Sequence, residues 1–167
     1  IARRASYVLG MASPGGFDRY FSTEMGYSYE LSNVHAAIGV AQIDMLEETI
    51  ARKRRIAAWY DELLSKEDGE KPVMVPGHVW WRYGFLLKAA DPRAVHRKLM
   101  EVGIETMPPF VPMYRIPMYR EGSDPSQFPV SEEVYRRTLA LPISPYLQRE
   151  HVEEIVNALQ HAMKVCP

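Results

Sequence analysis

Gly26 to Leu64 reads GYSYELSNVHAAIGVAQIDMLEETIARKRRIAAWYDELL, and the reading of this stretch decides the fold. Apolar side chains at Val34, Ala37, Ile38, Ala41, Met45, Leu46, Ile50, Ile56, Trp59, Tyr60, Leu63 and Leu64 recur at the three-and-four spacing of one helix face, and no proline interrupts them. The pattern predicts one long helix over 32–65. Ser32 is the natural N-cap, because its hydroxyl can accept an N–H left unpaired in the first turn, and Asn33 could do the same one residue later. At 1.5 Å per residue such a helix is roughly 45–50 Å long, more than the width of a domain of this size, so it must project from its own core or lie along a neighbour.

Working outward, Ile1 to Leu9 suits the tail of a helix that ends at Gly10 as a C′ glycine. Met11 to Gly26, with Pro14, Gly15 and Gly16, reads as an irregular connection. On the other side, Lys66 to Lys71 reads as a polar turn, and Val79 to Leu87, VWWRYGFLL, as a buried strand. Asp91-Pro92 opens a helix with aspartate at the N-cap and proline at N1, and Gly103 closes it. Ile104 to Thr106 reads as a short strand. Five prolines between Met107 and Phe128 rule out a sustained helix or central strand, which leaves a long loop of the kind that tends to be functional. Ser131 can cap a short helix through Arg137, Leu139 to Ile143 reads as a strand, and Val152, Ile155, Val156, Leu159 and Met163 line a terminal amphipathic helix. The fold class that follows is α/β in the manner of a small α+β domain: a long N-terminal helix plus a sheet of about three strands covered by helices.

Composition sets the outer bounds. The 167 residues are 47% hydrophobic and 25% charged, which suits one globular domain with a real core. A net charge of -1 argues against a dedicated binder of nucleic acid or of anionic membranes, and no apolar run of about 18 residues is present to span a bilayer. A single cysteine, Cys166, cannot form an internal disulfide, and the expected setting is reducing and cytoplasmic. The chain begins with Ile1 rather than methionine and is read as a piece of something longer.

Few residues suggest chemistry by themselves. The five histidines form no His-x-x-x-His pair; His151 and Glu154 share a helix face but have no further ligand, so no metal is expected. The basic run Arg52 to Arg55 with Trp80 and Trp81 could stack bases, but acidic residues one turn away make it a solvated helix face. No P-loop and no G-x-S-x-G elbow occurs.

A family resemblance carries further. Gly26-Tyr27-Ser28-Tyr29-Glu30-Leu31-Ser32-Asn33-Val34, then Ala36-Ala37-Ile38-Gly39-Val40-Ala41-Gln42, resembles the G-Y-N-Y-R stretch and following helix of DegT/StrS-type sugar aminotransferases. Gly103-Ile104-Glu105-Thr106, the run through Pro112-Met113-Tyr114-Arg115 and Pro117-Met118-Tyr119, and Phe128-Pro129-Val130-Ser131-Glu132 with Leu141-Pro142 resemble that family's loop and tail. The resemblance implies the smaller, C-terminal domain of a fold type I enzyme that depends on pyridoxal phosphate (PLP), acts on nucleotide-linked keto sugars and works as a homodimer. Residues 1–31 would then lead in from a missing large domain, and 32–167 would form the small domain.

The resemblance also implies site residues. Ser28 stands where the family's asparagine reaches the partner's cofactor phosphate; Glu30 stands where it has arginine; Tyr114 replaces a histidine, with Arg115 beside it, on the substrate side; Met107 replaces another arginine. An anion at position 30 repels phosphate where a cation attracts it. No lysine precedes Lys53, so the lysine that carries the cofactor lies outside this chain, and PLP is expected in the parent enzyme but not on this chain alone. The alternative is a catalytically inactive paralogue or fragment that serves as a dimerisation or interaction module.

Overall fold

The computed structural model describes residues 1–10, 12, 24–119 and 124–166. The chain forms two compact units, Ile1–Leu46 and Glu47–Pro167. Most of the irregular connection expected over 11–26 lies outside the described residues.

The first unit opens with α1, Ala2–Leu9. Gly10 follows at φ -90°, its N–H donating to Ser6 O at 3.0 Å, so it caps the helix without the left-handed C′ geometry anticipated for it. The chain returns alongside: Tyr27 N–H donates to Val8 O at 2.8 Å, Tyr29 N–H to Leu9 O at 3.1 Å, and Gly10 and Ser28 form an antiparallel bridge. Ser32 then caps α2, Asn33–Asp44, accepting the His35 N–H at 3.3 Å as expected.

The helix predicted over 32–65 is present in two pieces. α2 ends at Met45 (φ -98°, ψ 1°) and α3 runs Leu46–Leu63. Nothing in Asp44-Met45-Leu46 signals a break, since none is a proline or glycine. The two pieces also differ in burial. In α3 the stripe residues Ile56, Ala57 and Tyr60 are fully buried, whereas no residue of α2 is, and Val34, Ile38 and Ile43 remain 69%, 57% and 68% exposed.

In the second unit a three-stranded antiparallel sheet, in the order β1-β2-β3, is built from Gly69–Glu70, Tyr83–Leu87 and Thr138–Leu141. Along β2 the side chains alternate, with Tyr83, Phe85 and Leu87 buried, and Phe85 pairs with Leu139 across the sheet. Helix α4, Pro92–Glu101, starts as predicted: Asp91 Oδ1 accepts the Arg93 N–H at 3.1 Å with Pro92 in the first turn. It stops as predicted too, because Gly103 adopts φ +78° while Gly103 N–H donates to Met100 O and Ile104 N–H to Leu99 O, a Schellman closure. Val95 and Leu99 of α4 and Val152, Ile155, Val156 and Leu159 of the terminal helix join Ile56, Tyr60, Trp80 and the strand residues in one core.

Three local expectations are corrected. Ile104 to Thr106 is not a strand: only Met107 bridges Ala140, on the edge of β3 away from β2, because Pro142, opposite Glu105 in that register, has no N–H to donate, and Pro109 has none on the other side. α5, Pro129–Arg137, starts two residues before Ser131, because Pro129 suits the first turn; Phe128 precedes it without a side-chain cap. The turn around Gly69 contributes β1, where a Cβ would lie 2.1 Å from Leu86 O, so the strand edge fits closely against glycine alone. The proline-rich loop holds short 3-10 turns at Met113–Arg115, Pro117–Tyr119 and Pro125–Gln127. α6, Arg149–Val165, completes the unit.

Candidate functional site

Ser28 and Glu30 belong to the first unit and Tyr114 and Arg115 to the second. Ser28 is exposed on the strand-like segment that bridges Gly10, between Tyr27 and Tyr29, whose rings stack at 5.1 Å. A Cβ placed on Gly10 would lie 3.1 Å from Glu30 Oε1, so that carboxylate is seated over the Gly10 backbone. Glu30 is exposed and has no ion-pair partner among the described residues.

Tyr114 and Arg115 are brought together by Glu132, a residue whose role the sequence did not disclose. The Arg115 guanidinium grips the Glu132 carboxylate in a fork, Nε to Oε1 at 2.7 Å and Nη2 to Oε2. These hydrogen bonds hold Glu132 below the usual carboxylate range and push Arg115 further up. Glu132 is the sheltered member, with a side chain 14% exposed. Tyr114 packs flat on Phe128, ring centroids 4.6 Å apart, and its hydroxyl is enclosed. Loss of hydration first, and the Glu132 anion second, raise the Tyr114 pKa, so the phenol stays protonated at neutral pH and can donate a hydrogen bond. The far side of Arg115 faces the Tyr135 ring at 5.4 Å. The signal for Glu132 was present in its place within the Phe128-Pro129-Val130-Ser131-Glu132 motif, but no periodicity points from 132 back to 115.

A second cluster fixes the start of the proline-rich loop. Arg82 lies 4.5 Å from the ring centroids of both Trp81 and Phe110, and its Nη1 donates to Pro108 O at 3.3 Å. Its Nε is buried without a partner among the described residues. Met107, at the position where the resemblance implies an arginine, is tied to β3 through its backbone, and its apolar side chain is exposed. Beside this cluster a concavity of about 670 Å³ brings Lys53, Arg82, Glu105, His151 and Glu154 onto one rim. His151 is not a free ligand: its Nδ1 accepts the Gln148 N–H at 3.1 Å and caps α6. Among the described residues no group of three or more His, Cys, Asp or Glu could hold a metal, and no helix is long and apolar enough to cross a membrane.

With this geometry in place, the sequence profile of the DegT/DnrJ/EryC1/StrS aminotransferase family matches residues 3–160. The chain belongs to that family. GDP-perosamine synthase of Escherichia coli O157:H7 is 33% identical over 146 residues, which cover 84% of this chain and 39% of the relative. The dTDP-4-dehydro-2,3,6-trideoxy-D-glucose 4-aminotransferase of Saccharopolyspora spinosa is 31% identical, covering 98% of this chain and 45% of the relative. Among solved structures, the aminotransferase TlmJ of Streptoalloteichus hindustanus superposes with a TM-score of 0.79 at 28% identity, over 98% of this chain and 45% of that one. Helicobacter pylori PseC, at 17% identity, shares the fold with a TM-score of 0.82 over 96% of this chain and 45% of that one. The chain therefore spans less than half the length of these proteins.

Proposed function

We propose that this chain is the C-terminal part of a PLP-dependent aminotransferase that aminates nucleotide-linked keto sugars, in amino-sugar or polysaccharide biosynthesis. The observation that carries the reading is the family match across nearly the whole chain, with the Gly26–Asn33 approach, the proline-rich loop and the Phe128–Glu132 motif in the family's order. The relatives named as sugar aminotransferases support the substrate class. In this reading residues 1–31 lead in from a larger domain, a homodimer partner completes the site, and the protein works in the cytoplasm.

The residues of this chain do not fit the cofactor by themselves. Ser28 offers one exposed hydroxyl to a phosphate, but two residues away Glu30 sets an anion that has no ion-pair partner among the described residues, and no lysine precedes Lys53. If the rest of the parent protein holds the cofactor, it would supply the electron sink for the chemistry. What this chain contributes is binding and orientation. Tyr114, its hydroxyl enclosed and its ring packed on Phe128, shapes the pocket wall, and Arg115 reaches an anion only by exchanging away from Glu132. The parent protein mixed with PLP is expected to show a cofactor absorbance band that borohydride removes; absence of the band would sink the reading.

A second reading, a non-catalytic module that keeps the fold, is favoured by Glu30 and by the neutralisation of Arg115. In that case Glu30→Arg leaves cofactor affinity unchanged, whereas a clear gain argues for a site only lightly altered.

A further inference from the structure

Opposite charges line the concavity of about 670 Å³ beside the start of the proline-rich loop without neutralising one another. Lys53 of α3 and Arg82, in the approach to β2, bring two cations to it; Glu105, in the segment after α4, and Glu154 of α6 bring two anions. None of the four is in an ion pair among the described residues, although Arg52, Lys88, Lys98 and Arg149 at the surface each pair with a glutamate. His151, also in the lining, has its Nδ1 committed to the Gln148 N–H. Neither Tyr114, Arg115 nor Glu132 lines this concavity.

Arg82 is the member of the set that is held in place. Its guanidinium lies 4.5 Å from the ring centroids of both Trp81 and Phe110, and Nη1 donates to Pro108 O at 3.3 Å, its one side-chain hydrogen bond among the described residues. Two rings and a carbonyl fix the group and supply no anion, so its charge stays available. A guanidinium held this way loses little freedom when it grips a carboxylate in a fork. Much of the remaining lining is apolar and uncovered: Trp81 and Met107 are 64% and 45% exposed. The resemblance implies an arginine at 107, which would leave the lining with a cation in excess; with Met107 it stands at two cations against two anions.

We propose that this concavity binds a small zwitterion with an apolar body, the chemical class of the apolar α-amino acids. The carboxylate lies on Arg82 and Lys53, the ammonium on Glu105 and Glu154, and the apolar part on Trp81 and Met107. A balanced lining selects against ligands of net charge: a phosphate or a dicarboxylate meets two glutamates, and a simple amine meets two cations. The volume is that of a small-molecule site. Nothing in this binding uses the cofactor, and it is independent of the aminotransferase reading.

The test is titration of L-leucine into the full chain without PLP, followed by amide proton–nitrogen spectra. N-acetyl-L-leucine, which keeps only the carboxylate, L-leucinamide, which keeps only the ammonium, and L-glutamate are separate probes. Shifts are expected at Trp81, Arg82, Gly103 to Met107, Ile143 and Ser144, with each single-charge probe binding about tenfold or more weakly than leucine, and L-glutamate also more weakly. K53Q should weaken leucine and N-acetyl-L-leucine by about threefold or more and leave L-leucinamide no weaker, while E154Q should weaken leucine and L-leucinamide and leave N-acetyl-L-leucine no weaker. E150Q removes an exposed carboxylate of α6 outside the lining and should change leucine affinity by less than about twofold. Glutamine is a good helix former, and the melting curves of the variants report whether they fold; the probe series needs no variant at all. Absence of leucine shifts at the lining, a single-charge probe or L-glutamate binding as tightly as leucine, equal weakening by E150Q, or folded K53Q and E154Q acting alike on the two single-charge probes would each overturn the proposal.

Discussion

Raising the pH from about 9 to about 11 should unlock the core through two buried tyrosines. Tyr60 is fully buried and its hydroxyl donates to Pro142 O at 2.9 Å; Tyr83, 4.8 Å away between ring centroids, donates to Asp61 Oδ1 at 2.6 Å. Burial pushes the Tyr60 pKa far up, and burial followed by the Asp61 carboxylate does the same for Tyr83. Both groups therefore stay protonated in the folded state while an unfolded tyrosine ionises near about 10. The folded pKa is raised, so the stabilisation is fully present below the unfolded pKa and is lost as the pH climbs above it. For a group that never ionises when folded, the loss between about pH 9 and about pH 11 is about 1.4 kcal/mol. Tyr60 contributes close to that amount and Tyr83 less, because solvent near Asp61 screens part of its interaction. Urea unfolding followed by tryptophan fluorescence measures the drop, and Tyr60→Phe isolates one part of it: the variant is less stable at neutral pH, by about 1–3 kcal/mol for the abandoned Pro142 carbonyl, but loses less between the two pH values. Identical pH slopes for the wild-type chain and Tyr60→Phe, or tyrosinate absorbance from Tyr60 in the folded protein near pH 10, would refute the reasoning.

Other outcomes follow from single contacts. Gly69→Ala forces a Cβ to within 2.1 Å of Leu86 O and should cost about 1–3 kcal/mol, read as a lowered urea midpoint with β1 amides losing exchange protection. Asp91→Ala removes the α4 cap and should cost about 1 kcal/mol, while Asp91→Asn costs less. Glu132→Gln frees Arg115 and removes the anion beside Tyr114; ultraviolet titration should show the Tyr114 pKa falling, though not to the value of a free tyrosine, because loss of hydration is the larger cause. Phe85→Ala opens a cavity between sheet and helices and should cost about 3–5 kcal/mol, visible as a large fall in melting temperature.

The sequence by itself determined whatever depends on neighbours along the chain. Asp91-Pro92 and Gly103 bracket α4 because a capping carboxylate, a missing N–H and a left-handed glycine act within one turn of the residues they serve. The apolar stripe of α3 and the alternation of β2 were legible for the same reason, and ordered local motifs pointed to the family that the profile match then established. The tertiary structure decided what depends on approach between distant residues. Glu132 became the partner of Arg115 across seventeen positions, and Gly69 became a strand because Leu86 passes against it. Met45 became a helix end although no breaker residue marks it, and Ile104 to Thr106 failed as a strand because Pro142, opposite Glu105 in the Met107–Ala140 register, has no N–H to donate. Local free energies write caps and periodicity into sequence, whereas charge pairing and close backbone approach depend on distances that only the folded chain sets.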